Sequence, residues 1–271
     1  MMRKKITKAK RIVVKVGTST LLLPNGKLNL SCFDRLAFVL SDLNNRGYEV
    51  ILVSSGAIGV GLNELGLSSR PKEIPKQQAI ASVGQVQLMN LYTNQFKLYG
   101  QITSQLLLTQ DVTSFPESRE NVINALNALI DMQIIPIINE NDSVALDELD
   151  HETRFGDNDK LSAIVAQLIS ADLLIMLSDI DGLYDKNPNI YDDAKIIPNL
   201  RVITPEILQI ASGAGSRFGT GGMTSKLKAA EFLFENQLDM VLTSGKNPDI
   251  IFDVLKGKNI GTYFESEEKD D

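Results

Sequence analysis

The residues of this sequence best suited to chemistry are two lysines, a few carboxylates and several glycine-rich turns. Lys15 interrupts the apolar residues Val13, Val14 and Val16. A lysine in a run that would otherwise be buried needs either a place at the end of the strand or a strong anionic partner. A phosphate group is one such partner, and a lysine that reaches solvent from an edge is the alternative. Lys226 stands at the start of a predicted helix, where a lysine is usually solvated, so its position alone is weaker support for a functional role.

Two glycine-containing turns could present backbone N–H groups to a phosphate. Gly17 lets the backbone approach an anion closely, and Thr18 and Ser19 add hydrogen-bond donors. The segment Gly219-Thr220-Gly221-Gly222 precedes a predicted helix, and the free N–H groups at a helix N-terminus bind anions. An ordinary turn and a surface loop are the respective alternatives.

Two common nucleotide-binding patterns are absent. The sequence contains no G-x-x-x-x-G-K-[ST] motif, and Gly59-Val60-Gly61 opens a G-x-G-x-x-G pattern in which Glu64 replaces the third glycine. These absences argue against a P-loop enzyme and against a dinucleotide-binding domain.

The carboxylates of Asp157 and Asp159 flank Asn158 at the start of another predicted helix. Such carboxylates can cap free N–H groups, or one of them can point into a site and hold lysines or Mg²⁺. Asp181-Gly182 is typical of a turn. His151 and Cys32 are isolated, so we predict neither as a metal ligand or nucleophile, and we predict no metal-binding residues.

The elements that must position these residues follow from hydrophobic patterning. Predicted strands span residues 12–16, 50–53, 102–108, 134–138, 173–177 and 240–243, and predicted helices span 31–46, 75–98, 117–132, 158–170 and 226–236. Ser31 is the expected N-cap and Gly47 the expected stop of the first helix. Residues 141–156 predict a small hairpin, and 179–222 a turn-rich stretch with a short helix near 204–211. Strands separated by helices predict an α/β fold, a three-layer α/β/α sandwich with a mainly parallel central sheet.

In an open parallel sheet, ligands bind outside the carboxyl ends of the strands. The segments that follow the predicted strands carry small residues, hydroxyls, amides and carboxylates, among them Ser54-Ser55-Gly56, Asn139-Glu140-Asn141-Asp142 and Ser178-Asp179. Together with the two lysines, these groups suit a phosphate and a polar substrate.

Composition limits the remaining classes of protein. The chain has 271 residues, a net charge of −7, one Cys and one His, which argues against nucleic acid as a partner, an internal disulfide and a multi-histidine zinc site. No apolar run approaches the roughly 18–20 residues of a membrane span. The basic start lacks the apolar region of a signal peptide, so we expect a cytoplasmic protein. We expect one domain over residues 1–271, with a core of about 11–264, a solvated basic leader and a disordered acidic tail.

Five segments of the sequence carry recognisable motifs: residues 12–19, Ser54-Ser55-Gly56-Ala57-Ile58, Asn139-Glu140-Asn141-Asp142, residues 155–163 and residues 219–227. Together they resemble the glutamate 5-kinase family of the amino acid kinase superfamily. The resemblance runs in order from about Arg11 to Phe264. The Asn-Glu-Asn-Asp and Gly-Asp-Asn-Asp motifs are its most specific parts and favour this family over acetylglutamate, aspartate or UMP kinases. Many members carry a C-terminal PUA domain, and the sequence predicts the short form without it.

The resemblance implies ATP-dependent phosphorylation of the γ-carboxylate of L-glutamate, the first step of proline biosynthesis, with Mg²⁺ as cofactor and proline as feedback inhibitor. It implies catalytic roles for Lys15, Asp159 and Lys226, with Asp159 positioning the two lysines, and glutamate binding by Ser55, Asp142 and Asn158. The implied nucleotide-binding residues are Lys15, Gly17, Ser178, Asp179, Thr220, Gly221, Gly222, Met223, Thr224, Ser225 and Lys226. We also expect a homo-oligomer without nucleic-acid or membrane partners. The alternatives are another amino acid kinase, such as an acetylglutamate kinase, and a non-catalytic amino acid or nucleotide sensor on the same fold.

Overall fold

A computed structural model describes residues 2–109, 111–144, 158–188, 190–212 and 222–267. The strands are β1 (Arg11–Val16), β2 (Glu49–Ser54), β3 (Thr103–Leu108), β4 (Ile135–Glu140), β5 (Leu173–Ser178), β6 (Asn199–Leu200), β7 (Asp239–Ser244) and β8 (Thr262–Phe264). The α-helices are α1 (Thr18–Leu21), α2 (Leu30–Asn45), α3 (Ala57–Glu64), α4 (Ile74–Leu98), α5 (Asp111–Ser114), α6 (Pro116–Asp131), α7 (Asn158–Leu168), α8 (Pro205–Ser212), α9 (Met223–Glu235) and α10 (Ile250–Leu255).

The strands form one sheet in the order β3-β4-β2-β1-β5-β7-β8-β6. All pairings are parallel except that of β7 with β8. The central strand β1 pairs with β2 and β5, so the segments that follow these three strands lie at neighbouring positions on the carboxyl edge. This arrangement confirms the predicted mainly parallel sheet.

The sheet separates two hydrophobic cores, which confirms the three-layer architecture. Val14 and Val16 pack with α2 and α4 on one face, whereas Val13 packs with α7 and α9 on the other. Alternate side chains of a strand point to opposite faces, so both faces of β1 are apolar because both are covered by helices. The position of Lys15 in the strand places its side chain on the same face as Val13.

The predicted helices and strands are present with small shifts at their ends, and two details of the prediction were wrong. The N-cap of α2 is Asn29, whose side chain accepts a hydrogen bond from the Cys32 N–H at 3.3 Å, and not Ser31, which lies inside the helix. The hydrophobic pattern also missed the short elements α1, α3, α5, α10, β6 and β8. These are too short, or too glycine-rich in the case of α3, for an amphipathic period to be recognised.

The expectation of a solvated basic leader was wrong. Arg3 is buried, and its guanidinium donates to the carbonyl oxygens of Pro198 and Ile260, each at 2.6 Å. At the other end, Ser266 is also buried, although residues 265–271 were expected to form a disordered tail; residues 268–271 lie outside the described part. In the described ranges, no helix is both long enough and apolar enough to cross a membrane.

Candidate active site

Three charged side chains meet at the carboxyl edge of the sheet and form what we call the lysine–aspartate cluster: Lys15, Asp159 and Lys226. Lys15 donates a short hydrogen bond to one oxygen of the Asp159 carboxylate, and Lys226 Nζ lies 3.1 Å from the other oxygen. Ser225 Oγ donates to this second oxygen at 2.7 Å. Asp159 has no solvent exposure, and each lysine residue is 6% exposed.

Each member of the cluster comes from a different element. Lys15 is the fifth residue of β1, and its side chain lies on the face that α7 and α9 cover. Asp159 lies in the first turn of α7, and Lys226 in the first turn of α9. Because both helices begin at the carboxyl edge of the sheet, their first turns approach the end of β1.

The electrostatics of Asp159 favour its charged form. Burial alone would raise the pKa of this carboxyl group. The charges of Lys15 and Lys226, with hydrogen bonds from Lys15 and Ser225, outweigh burial and hold its pKa well below the usual range. The Asp159 side chain is therefore a negative counter-charge at neutral pH, and its two oxygens accept from the lysines and Ser225.

The lysine–aspartate cluster contains two ammonium groups and one carboxylate. These three groups by themselves sum to a charge of +1, and all three are nearly buried. A buried excess charge is costly unless an opposite charge compensates it. The arrangement favours an anionic ligand beside the two lysines, and the first turn of α9 adds the free N–H groups of a helix N-terminus.

The other residues predicted to bind nucleotide line the same edge where the structure describes them. Gly17 follows β1, and a Cβ atom on Gly17 would lie 3.5 Å from Lys15 Nζ. Ser178 ends β5, and its hydroxyl donates to the Asp179 carboxylate at 3.0 Å. Gly222, Met223 and Thr224 form the start of α9 with Ser225. Thr220 and Gly221 lie outside the described residues.

Two of the three residues predicted to bind substrate are in contact. Asn158 Nδ2 donates to Ser55 Oγ at 2.8 Å and to Asn139 Oδ1 at 3.1 Å. Asp142 is half-buried in the turn that follows β4. Most of the hairpin predicted over 141–156, like Asp157 and His151, lies outside the described residues.

The sequence as a whole aligns with proteins of one family. Residues 10–244 match the amino acid kinase family model. Two relatives named glutamate 5-kinase come from Lactococcus lactis subsp. cremoris (strain SK11) and Enterococcus faecalis (strain ATCC 700802 / V583). The first is 69% identical over 97% of this chain and 98% of the relative, and the second is 59% identical over 97% of each chain. The chain belongs to the glutamate 5-kinases of the amino acid kinase family.

Solved structures support the fold of this family member. The UMP kinase of Bacillus anthracis superimposes with a TM-score of 0.63 at 14% identity, over 96% of this chain and 97% of that one. The carbamate kinase of Giardia lamblia bound to AMP-PNP superimposes with a TM-score of 0.65 at 15% identity, over 96% of this chain and all of that one. At such identities the likeness shows the fold alone.

The sequence did not reveal two buried polar residues of α4 that support the strand ends of this site. Gln85 of α4 is buried and contacts Asn139, and Tyr92 of the same helix contacts Ser54 Oγ through its hydroxyl at 2.8 Å. A signal was present, because Gln85 falls on the stripe of α4 that otherwise buries Ala81 and Leu88. A polar residue in such a stripe needs a partner.

The described residues contain no group of three or more His, Cys, Asp or Glu side chains that could hold a metal ion. Both oxygens of Asp159 are already engaged by cations. Among the described side chains, the donor set at this edge therefore does not fit a metal held by protein side chains alone. It fits a metal that arrives with phosphate oxygens as its ligands, as Mg²⁺ commonly does.

Proposed function

We propose that the protein transfers the γ-phosphoryl group of ATP to the γ-carboxylate of L-glutamate. The products are ADP and L-glutamyl 5-phosphate, and the reaction is the first step of proline biosynthesis. The observation that carries the proposal is the pair of nearly buried lysines that share one carboxylate, in a chain whose 69% identical relative is named glutamate 5-kinase.

The reaction needs no general base. A glutamate side chain has a pKa of about 4.3, so at neutral pH its carboxylate is already a nucleophile. The obstacle is repulsion between this anion and the anionic phosphoryl group. Catalysis then consists mainly of alignment and neutralisation of charge.

The lysine–aspartate cluster supplies both the alignment and the neutralisation of charge. Lys15 and Lys226 stabilise the charge that builds on the transferring phosphoryl group, and Asp159 fixes the two ammonium groups at a set separation. Because these charges are held in place before the reaction, no reorganisation is needed when the transition state forms. Gly17, Ser178, Asp179 and the segment from Thr220 to Lys226 complete the nucleotide site.

A divalent metal, proposed to be Mg²⁺, would be held chiefly by the nucleotide phosphates in this site. It supplies further neutralisation of phosphate charge when bound. Lys15 and Lys226, which both contact Asp159, would neutralise phosphate charge from the side of the protein.

Ser55, Asp142 and Asn158 are proposed to hold glutamate. The Asp142 carboxylate suits the α-ammonium group, and Ser55 and Asn158 offer neutral hydrogen bonds. We further propose that proline inhibits the enzyme, that it works in the cytoplasm, where ATP is available, and that it forms a homo-oligomer without nucleic-acid or membrane partners.

The substrate is tested by a coupled assay of ADP release with glutamate, acetylglutamate, aspartate and UMP in parallel. We expect turnover with glutamate and little with the other three. Turnover with another acceptor would replace the proposed substrate, and no turnover with any of them would favour a sensor. Added proline should lower the rate with glutamate, and light scattering after gel filtration reports the oligomeric state.

The proposed division of the site is tested by Asp142→Asn. Loss of a charge-assisted hydrogen bond costs about 1.5–3 kcal/mol, or roughly 10- to 150-fold. We expect the KM for glutamate to rise by this factor while the KM for ATP stays within a few-fold. Equal increases in both constants would contradict the assignment of Asp142 to the glutamate side.

A further inference from the structure

Gln85 is a buried polar residue on the long helix α4, away from the lysine–aspartate cluster. It is 8% exposed, and its Oε1 accepts a hydrogen bond from Asn139 Nδ2 at 2.8 Å. Asn139 belongs to β4 and is 2% exposed. A buried amide N–H without an acceptor is unfavourable, so Gln85 holds Asn139 in its observed orientation.

The helix that carries Gln85 is fixed against the turn after β2. A Cβ atom on the adjacent Gly84 would lie 1.8 Å from the carbonyl oxygen of Ala57, so α4 approaches the start of α3 more closely than any side chain would allow. Ala57 follows Ser55 by two residues. The position of Gln85 relative to Ser55 is therefore set by direct backbone contact.

The direction of the hydrogen bonds in this region is set by the main chain. The Glu140 N–H, which can only donate, points at Asn139 Oδ1 at 2.9 Å. Asn139 must therefore direct its Nδ2 to Gln85 and receive a donor from Asn158 at the same Oδ1. The result is a relay of amides from Gln85 through Asn139 and Asn158 to Ser55.

The relay determines which atoms remain for a ligand. Asn158 uses its Nδ2 for Asn139 and Ser55, and its buried Oδ1 has no hydrogen-bond partner among the described residues. Ser55 Oγ accepts from Asn158, so its own proton is available to another acceptor. An acceptor and a donor thus stand side by side, and they match the ammonium and carboxylate groups of an α-amino acid.

We infer that Gln85 is a positioning residue that sets the selectivity for a substrate with an α-ammonium group, by holding Asn139 and through it Asn158. The inference rests on the proposed function, since glutamate is the amino acid in question. Gln85 does not touch the substrate in this account. It acts by keeping Asn158 Oδ1 directed at the substrate.

The experiment compares Gln85→Met, which keeps the length of the side chain but removes the acceptor, with Gln85→Glu, which keeps an acceptor oxygen. Gln87→Met, two residues along the same helix and not part of the relay, is the matched control. Each variant is assayed with L-glutamate and with glutarate, which lacks the α-amino group. The readouts are KM for both substrates and for ATP, and a melting curve.

For Gln85→Met we expect a rise of about tenfold or more in the KM for glutamate, with the KM for ATP unchanged. The preference in kcat/KM for glutamate over glutarate should fall by a similar factor, because Asn158 Oδ1, the neutral acceptor that acts beside Asp142 on the ammonium group, is no longer held. Gln85→Glu should restore most of this preference, and Gln87→Met should behave like the wild type. If Gln85→Met does not fold, Gln85→Asn, whose side chain is too short to reach Asn139, should show the same loss.

An unchanged preference for glutamate over glutarate in the folded Gln85 variants would overturn the inference and leave the proposed function intact. The same holds if the effect is confined to the melting temperature, or if Gln87→Met produces it as well. A wild-type enzyme that does not turn over glutamate would overturn the proposed function, and this inference with it.

Discussion

Two buried aspartates lie at opposite edges of the sheet, and they differ in how their charge is balanced. Asp159 stands at the carboxyl edge beside the end of β1, and Asp239 is the first residue of β7 at the amino edge. Both are almost fully buried, and both accept hydrogen bonds from a lysine and a serine.

The hydrogen-bond partners of Asp239 come from residues near both ends of the chain. It accepts hydrogen bonds from Lys5 Nζ at 3.0 Å, from the Ser266 N–H at 3.0 Å and hydroxyl at 2.7 Å, and from the Tyr263 hydroxyl. Its cation Lys5 has a side chain that is 37% exposed, so one negative charge meets one partly hydrated positive charge. This cluster connects the start of the chain to residues near its end.

Asp159, by contrast, is shared by two cations whose side chains are each 7% exposed. The difference indicates two kinds of task for a buried carboxylate. A carboxylate paired with one cation fastens segments together, whereas one shared by two nearly buried cations suits the proposed role of holding positive charge for an anion.

The largest expected effect comes from Asp159→Asn. Without the counter-charge the two ammonium groups repel each other, and a displacement of about 1 Å from the phosphoryl path can cost on the order of 100-fold in rate. We expect kcat to fall by at least this factor, measured at a temperature where the melting curve shows a folded protein. Stability should fall too, since two buried cations lose their partner, and added ATP should raise the melting temperature again.

The matched control is Asp239→Asn. This variant should lower the melting temperature and leave kcat of the folded protein within a few-fold of the wild type, because its partners are remote from the lysine–aspartate cluster. A near-normal kcat in Asp159→Asn, or a comparable loss of kcat in Asp239→Asn, would contradict the different roles of the two aspartates.

The lysines allow a second test of the same contrast. Lys226→Met should lower kcat by about 10- to 150-fold, the usual value of a hydrogen bond to a charged group, with a much smaller change in the KM for glutamate. Lys5→Met should reduce the free energy of unfolding and leave kcat unchanged. Steady-state kinetics measures kcat of the two variants, and urea denaturation measures their free energies of unfolding. A normal kcat in Lys226→Met would remove Lys226 from the mechanism.

A smaller effect concerns the surroundings of Asp239, whose contribution to the free energy of unfolding should decrease at alkaline pH. Burial and the hydrogen bond to Asp239 raise the pKa of Tyr263 above its ordinary value. A raised pKa in the folded state contributes stability below the unfolded value of about 10, which is lost as the pH rises past it. Urea denaturation of wild type and Tyr263→Phe from pH 9 to 11 should show a shrinking difference, at most about 1.4 kcal/mol per pH unit. A stability difference between the two proteins that stays constant from pH 9 to 11 would contradict the raised pKa of Tyr263.

Acid should reduce the contribution of the lysine–aspartate cluster to the free energy of unfolding. Because the pKa of Asp159 is lowered by the two lysines, its contribution is present above the unfolded value of about 3.9 and is lost as the pH falls below it. The stability difference between wild type and Asp159→Asn should therefore be constant from pH 5 to 7 and shrink below about pH 4. Denaturation at pH 3.5 and 6 measures this, and an equal difference at both values would argue against a charged Asp159.

The sequence by itself determined the layers of the fold and the segments of the candidate site. Runs of Val, Ile and Leu between amphipathic segments predict buried parallel strands, and that pattern is local. Lys15 was recognisable because an ammonium group in such a run is costly without a partner. The segments that carry Ser55, Asn158 and Lys226 were recognisable because they follow strands or begin helices at one edge of the sheet, and the roles of these residues came from the resemblance to the family.

Only the tertiary structure decided which of these groups meet. Whether Asp159 caps a helix or holds two lysines could not be judged from residue types, because its partners lie 144 and 67 residues away in the chain. The same is true of Gln85, whose partner is 54 residues distant, and of Arg3, which bonds to Ile260. Local patterning depends on neighbours within a few residues, whereas the pairing of buried polar groups depends on how helices and strands pack, and packing brings distant residues together.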